Sequence, residues 1–230
     1  LALFAADPAG DHRAGIKSSA NYLKGNRKMK LYYSPGSCSL ASHISLLEAG
    51  ISPDLVKVDL WKHQLEDGSD YRLINPKGAV PALELEEDGI LTEGSAVLQY
   101  IGDHYAPALV PAAGAITRAR LHEILNYLAS EYHKSYNPLF YLSPDADRTE
   151  AQKPVIARLT YLNSVLANGG PYLLGDKLTV ADFYLFAVTR WAANFDISLE
   201  AFPALKAFMA LIEARPAVHK AMAAEGLLEA

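Results

Sequence analysis

A single cysteine, Cys38, occurs among 230 residues, and its neighbours place it where a thiol can do chemistry. It follows a short apolar run, Met29-Lys30-Leu31-Tyr32-Tyr33, and a turn, Ser34-Pro35-Gly36-Ser37. Beyond it Leu40, Ile44 and Leu47 recur at helical spacing, and Gly50 reads as a stop. Cys38 is thus expected at or near the first turn of a helix. Unpaired N–H groups and the positive end of the helix dipole would favour a thiolate there. The alternative for a lone cysteine is a small buried hydrophobe.

Three other groups of residues bear on that thiol. Val80-Pro81 precedes a strand-like run and is a candidate cis peptide, which only X-Pro bonds adopt at useful frequency. Such a bend would expose the Val80 backbone to an extended, peptide-like ligand, in the manner of strand addition. Thr92-Glu93-Gly94-Ser95 marks another helix start, where backbone N–H groups could hold a carboxylate and Glu93 an ammonium. A ligand with an α-amino acid head, a peptide bond and a thiol would satisfy all three, and glutathione is such a ligand. In the second half, Asn126, Ser130, His133 and Lys134 are spaced i, i+4, i+7 and i+8 and would share one helix face. That face is either solvated or lines a cleft, where a cation lowers a thiol pKa and a neutral histidine can take a proton.

The elements that must position these groups follow from periodicity. Leu55-Val56-Lys57-Val58-Asp59-Leu60 alternates as a strand, and polar residues from Trp61 to Tyr71 form a loop or short helix. Ala79 to Glu86 is a strand, Asp88-Gly89 a hairpin signal, and Ile90-Leu91-Thr92 the return strand. A helix from about Ser95 to Tyr105 closes a β-α-β, β-β-α order, which is thioredoxin-like. Prolines and Gly114 make 106–114 a linker. Beyond it the stripes are helical: Leu121, Leu125, Leu128 and Tyr132, then Val155 to Ala167. A capping box at Thr179-Val180-Ala181-Asp182 opens a helix through Trp191, and Phe202 to Arg215 is a further helix stopped by Pro216. The expected fold class is α/β plus all-α: residues 29–108 thioredoxin-like, residues 115–230 a helical bundle. Residues 1–28 lack a sustained period and read as a disordered or loosely attached extension, with Met29 a candidate initiator.

Lys plus Arg is 21 and Asp plus Glu is 26, a formal charge of −5, which gives no sign of a nucleic-acid or membrane surface. One cysteine excludes an internal disulfide and any cysteine-cluster metal site, and points to a reducing, cytoplasmic setting.

From Met29 to about Leu227 the chain resembles the bacterial beta class of glutathione S-transferases. The resemblance lies in Lys30 to Leu40, in Asn75-Pro76-Lys77-Gly78-Ala79-Val80-Pro81 and Leu91-Thr92-Glu93-Gly94, in Leu125 to Lys134, in Thr179 to Phe186, and in Arg215-Pro216. It implies a homodimer that takes glutathione and a small hydrophobic electrophile, with glutathione a co-substrate and no cofactor or metal. It implies that Cys38 contacts the glutathione sulfur and can form a mixed disulfide with it. Glu93 and Gly94 would serve the γ-glutamyl end and Val80 the cysteinyl backbone. Asn126, Ser130, Glu131 and His133 would lie near the site, some of them reaching across a dimer. His63 falls where a lysine is common and would face the glycyl carboxylate.

Three functions fit. The first is conjugation of glutathione to electrophiles, with Cys38 and His133 as catalytic residues. The second is a glutathione-dependent thiol oxidoreductase or reductive dehalogenase acting covalently through Cys38. The third is a non-catalytic binder of apolar compounds or a regulatory protein. The aromatic residues Tyr136, Phe140, Tyr141 and Trp191 fit many apolar guests and do not choose among electrophiles.

Overall fold

The computed structural model describes residues 29–85, 89–143 and 145–228. The expected extension (1–28) and the hairpin residue Asp88 lie outside them. Five strands form one sheet: β1 (Lys30–Tyr33), β2 (Asp54–Asp59), β3 (Gln64–Leu65), β4 (Ala82–Leu85) and β5 (Gly89–Thr92), in the order β3-β2-β1-β4-β5. β1 and β2 run parallel, joined by α1 (Ser39–Glu48), and the other neighbours are antiparallel. The alternation of β1 decides its two faces. Leu31 and Tyr33 enter a core with Leu83, Val97 and Ile101, while Tyr32 enters another with Val58, Tyr71 and Ala82. α2 (Gly94–His104) follows β5 and covers the first face. This is the thioredoxin-like order read from the sequence, with one addition. The polar stretch after β2 carries the two-residue edge strand β3, too short to show a period.

The C-terminal half is helical: α3 (Ile116–Tyr127), a π-helical turn (Leu128–Tyr132), α4 (His133–Ser135), α5 (Asn137–Tyr141), α6 (Thr149–Gly169), α7 (Val180–Thr189), α8 (Trp191–Asn194), α9 (Pro203–Glu213) and α10 (Pro216–Ala224). Every residue of α7 is buried, as its nearly uninterrupted apolar sequence requires of a central helix. Its start is the capping box: the Asp182 carboxylate accepts the Thr179 N–H at 2.7 Å, the Thr179 hydroxyl at 2.9 Å and the Leu173 N–H at 2.8 Å. α9 ends before Pro216, as the sequence indicates, and that proline also opens α10, where its missing N–H costs nothing.

The two halves share a core. Leu40, Ala41 and Ile44 of α1 and Leu98 of α2 belong to the cluster centred on α7. Residues Ser39 to Leu46 of α1 are all buried, being flanked by the sheet and the bundle. α1 ends as expected: Gly50 has φ +76°, its N–H donates to Leu47 O, and Ile51 N–H reaches back to Leu46 O. The linker is packed, contrary to a loose connection. It holds a 3-10 turn at Pro107–Leu109, and Ala106, Leu109 and Val110 are buried. Arg118 fixes it by donating to Pro111 O at 2.7 Å and to both Asp103 carboxylate oxygens. Val110 packs so closely on α2 that a Cβ on Gly102 would overlap its Cγ1, which explains a glycine inside that helix.

Candidate active site

Cys38 is the N-cap residue of α1 and is followed by helical turns held by Leu40 N–H to Ser37 O and Ala41 N–H to Cys38 O. Its side chain is partly buried and Sγ lies 3.3 Å from the Val80 carbonyl oxygen, to which the thiol donates. Val80-Pro81 is cis, as read from the sequence. The segment before it is held tightly: Tyr71 OH and Asn75 Nδ2 both donate to Ala79 O, at 2.9 and 2.7 Å. Val80 N–H has no partner among the described residues.

The thiolate expected at this helix start is not favoured in the free protein. Burial pushes the Cys38 thiol up to about 12, and the charge of Glu93 adds to that. The N–H groups of Cys38 and Ser39 act in the opposite direction and do not overcome desolvation. The sequence argument counted the dipole and could not see the burial.

Cys38, His63, Val80 and His133 line one cavity of about 550 Å³ between the two halves. Its far wall is aromatic, from Phe140, Tyr141 and Trp191. His133 sits edge-on to Trp191, with ring centroids 4.9 Å apart, and its Nδ1 is 3.0 Å from the Tyr184 hydroxyl. Burial, reinforced by the neighbouring Lys134 charge, lowers its pKa to about 4, so it is neutral at neutral pH. Tyr184 was not singled out in the sequence, because a tyrosine inside an apolar helix reads as core. Burial raises its pKa strongly, so its hydroxyl keeps its proton. With that hydroxyl donating to Nδ1, the ring proton of His133 sits on Nε2; in the other tautomer Nδ1 donates to the hydroxyl.

Glu93 has φ +72° and caps the start of α2, where Gly94 backs onto Pro81 with 3.8 Å between Pro81 Cδ and an idealised Cβ. Its carboxylate is exposed and receives Lys77 Nζ at 2.6 Å, a partner the sequence reading did not name. His63 also has positive φ, +53°, and its Nδ1 is buried without a partner against Gly78, where a Cβ would come within 2.8 Å of that nitrogen.

The polar face read from the sequence divides between its two alternatives: His133 lines the cavity and the others are solvent-exposed in the single chain. Asn126, Ser130 and Glu131 are exposed and are not brought to the cavity. Ser130 donates to Asn126 O at 2.9 Å, and Glu131 pairs with Arg158 at 3.0 Å. Lys134 is likewise exposed and outside the lining. The π-helical turn at Leu128–Tyr132, which advances more residues per turn than an α-helix, separates His133 from that exposed face. Over five residues it turns His133 by roughly a quarter of a revolution from the face that α-helical spacing gives it.

The helical half also fixes the loop that carries Cys38. Gly36, at φ +68°, donates its N–H to Glu225 Oε2 at 2.9 Å and accepts Trp191 Nε1–H on its carbonyl at 2.8 Å. The other oxygen of Glu225 is 2.9 Å from His43 Nδ1, both side chains buried. Nothing local to Glu225 in sequence points to this contact, which spans 189 residues. Among the described residues no group of His, Cys, Asp and Glu could hold a metal, and no helix is long and apolar enough to cross a membrane.

Residues 36–104 match the family description "Glutathione S-transferase, N-terminal domain" and residues 130–225 "Glutathione S-transferase, C-terminal domain". The chain is 44% identical over 205 residues to glutathione S-transferase GstA of Escherichia coli O157:H7, covering 86% of this chain and all of that protein. Among solved structures it matches the bacterial beta class glutathione S-transferase of Sphingomonas chungbukensis, with a TM-score of 0.82 at 42% identity, over 86% of this chain and all of that one. A sphingomonad glutathione S-transferase complexed with glutathione matches with a TM-score of 0.80 at 42% identity, with the same coverage. This chain is a member of the glutathione S-transferase family, and its likeness there is to the bacterial beta class.

Proposed function

We propose that this chain is a transferase that conjugates the thiol of glutathione to hydrophobic electrophiles. The observation that carries this is the Cys38 thiol, at the start of α1, meeting the cis Val80-Pro81 bend on one side of an aromatic-walled cavity; Glu93 and Gly94, at the start of α2, lie outside its lining. Glutathione, which the sphingomonad relative holds, supplies matching groups. Its cysteinyl backbone pairs with Val80 N–H, its γ-glutamyl carboxylate with the N–H groups at Gly94 and Ser95, and its ammonium with Glu93. His63, whose ring lines the same cavity, takes the glycyl end. Residues 29–108 form the glutathione-binding unit and 115–230 the unit that holds the electrophile.

The chemistry follows from the protonation states. Because burial holds Cys38 as a thiol, it has a proton to donate, and on binding it turns from Val80 O toward the glutathione sulfur. His133 Nε2–H is a second neutral donor on the opposite side. Both stabilise a glutathione thiolate without adding a full charge. The glutathione thiol loses its proton to solvent, and the thiolate attacks the electrophilic carbon; a C–S bond forms and the leaving group departs with its electron pair. Proximity in the cavity does the rest. Covalent use of Cys38 in disulfide exchange is the subordinate reading, since attack needs the thiolate that burial disfavours.

A homodimer in the cytoplasm fits this reading, and Asn126, Ser130 and Glu131 are free to face a second copy. Calorimetry with glutathione, followed by mass spectrometry of the product formed with an electrophile panel, tests the proposal. One bound glutathione per chain and a thioether product support it; absence of glutathione binding overturns it.

A further inference from the structure

The mouth of the cavity is spanned by two aromatic rings from different halves of the chain. Trp61 and Tyr141 meet edge to face, 84° between planes and 6.2 Å between centroids, and both line the cavity that holds Cys38. Each is the more unusual for being exposed, Trp61 at 74% and Tyr141 at 78%. Large apolar rings left in water at the rim of a concave site mark a binding surface more often than chance exposure.

Neither ring is on loose backbone. The Asp59 carboxylate accepts the N–H of Trp61 and of Lys62, each at 3.0 Å, which fixes the turn between β2 and β3. Tyr141 ends α5, which is anchored by buried Leu139. Beneath them Phe140 sits edge-on to Trp191 at 5.2 Å, so aromatic surface continues from the mouth to His133. No aspartate, glutamate, lysine or arginine lines this cavity.

We infer that Trp61 and Tyr141 are specificity-determining residues, an aromatic clasp that selects flat, uncharged, aromatic electrophiles over aliphatic ones of similar volume. The inference rests on the conjugation reading above. A planar guest stacks on one ring while the other, still edge to face with it, holds that ring in place. An aliphatic guest gains only undirected packing there. The lack of a charged lining residue leaves nothing to offset the desolvation of an ionised guest. Trp61 comes from the glutathione-binding half, so the electrophile site is built from both halves.

The test compares 1-chloro-2,4-dinitrobenzene with 1-iodohexane as glutathione acceptors for the wild type, Trp61→Ala, Trp61→Phe, Tyr141→Ala and the double alanine variant. Trp61→Ala and Tyr141→Ala should each lower kcat/KM for the aromatic substrate roughly three- to tenfold, the worth of one aromatic contact, mainly through KM. The alkyl iodide should change less than about twofold, since undirected packing is easily replaced. Trp61→Phe should recover most of the aromatic activity. The two alanine effects should be less than additive, because each removes the other's partner. Equal losses for both substrates, or additive losses, overturn the clasp. A weakened glutathione Kd in Trp61→Ala with unchanged selectivity overturns it too, by making Trp61 part of the glutathione site. Failure of the wild type to conjugate either substrate would instead overturn the conjugation reading itself.

Discussion

Cys38 Sγ donates to the carbonyl oxygen of Val80 across 3.3 Å and 42 residues of sequence, and that contact joins the helix start to the strand that would hold a peptide-like ligand. The cysteine stays protonated because burial disfavours the thiolate and the charge of Glu93 adds to that. Alkylation of Cys38 by iodoacetamide in the free protein should be slow at pH 7 and rise about tenfold per pH unit through pH 9, since only the thiolate attacks. A plateau near pH 7 would show a thiolate already formed. The mixed disulfide with oxidised glutathione should follow the same pH dependence, add one glutathionyl group per chain, and vanish in Cys38→Ala.

Glu93 should carry much of the glutathione affinity. Glu93→Ala is expected to raise the Kd roughly tenfold or more, the cost of losing a charged hydrogen-bond partner. Lys77→Ala should change it by less than about threefold, because the Lys77–Glu93 pair is exposed and such pairs contribute little. Calorimetry separates the two; an unchanged Kd in Glu93→Ala removes that residue from the site.

His133 sits in an aromatic nest, so its replacement has a pH signature. Its folded pKa, about 4, lies below the ordinary value of 6.5, so the unfolded chain binds the extra proton between those values. Stability should therefore fall as pH drops from 6.5 to 4, with about 3 kcal/mol lost when protonation is complete. His133→Gln should flatten that part of the Tm profile relative to wild type. Tyr184→Phe should leave the fold intact but lower kcat/KM several-fold, because the donor that places the ring proton on Nε2 is gone. An unaltered rate in Tyr184→Phe would mean the tautomer is set otherwise.

Glu225→Gln should behave close to wild type, since an amide can still accept Gly36 N–H and donate to His43. Glu225→Ala leaves His43 buried and unpaired and the part-buried Gly36 N–H without its acceptor, and should cost about 2–4 kcal/mol in chemical denaturation. Equal stability of the two variants would show that these bonds contribute nothing.

The thioredoxin-like order was legible because β1, β2 and the α1 and α2 helices carry clean periods and explicit stops such as Gly50. The cysteine, the Val80-Pro81 bend and Glu93 were legible because backbone geometry at strand and helix ends follows residue type. What failed depended on distant or irregular structure. The π-helical turn at Leu128–Tyr132 breaks the face that joined Asn126 to His133, and nothing in Leu-Ala-Ser-Glu-Tyr announces it. The protonation of Cys38 depended on burial by the other half of the chain, and Tyr184, Trp61 and Glu225 act through contacts far apart in sequence.

The central claim is that the Cys38 thiol donates a hydrogen bond to a glutathione thiolate in the cavity. Titration of enzyme-bound glutathione by thiolate absorbance in the ultraviolet tests it most directly, in the wild type and in Cys38→Ala. The bound glutathione thiol should titrate below its value in free solution in the wild type and about one pH unit higher in Cys38→Ala, the worth of one hydrogen bond to a charged group. Glutathione binding and part of the conjugation rate should persist in the variant. An identical titration in both proteins would contradict the claim, and so would complete loss of conjugation in a folded variant that still binds glutathione.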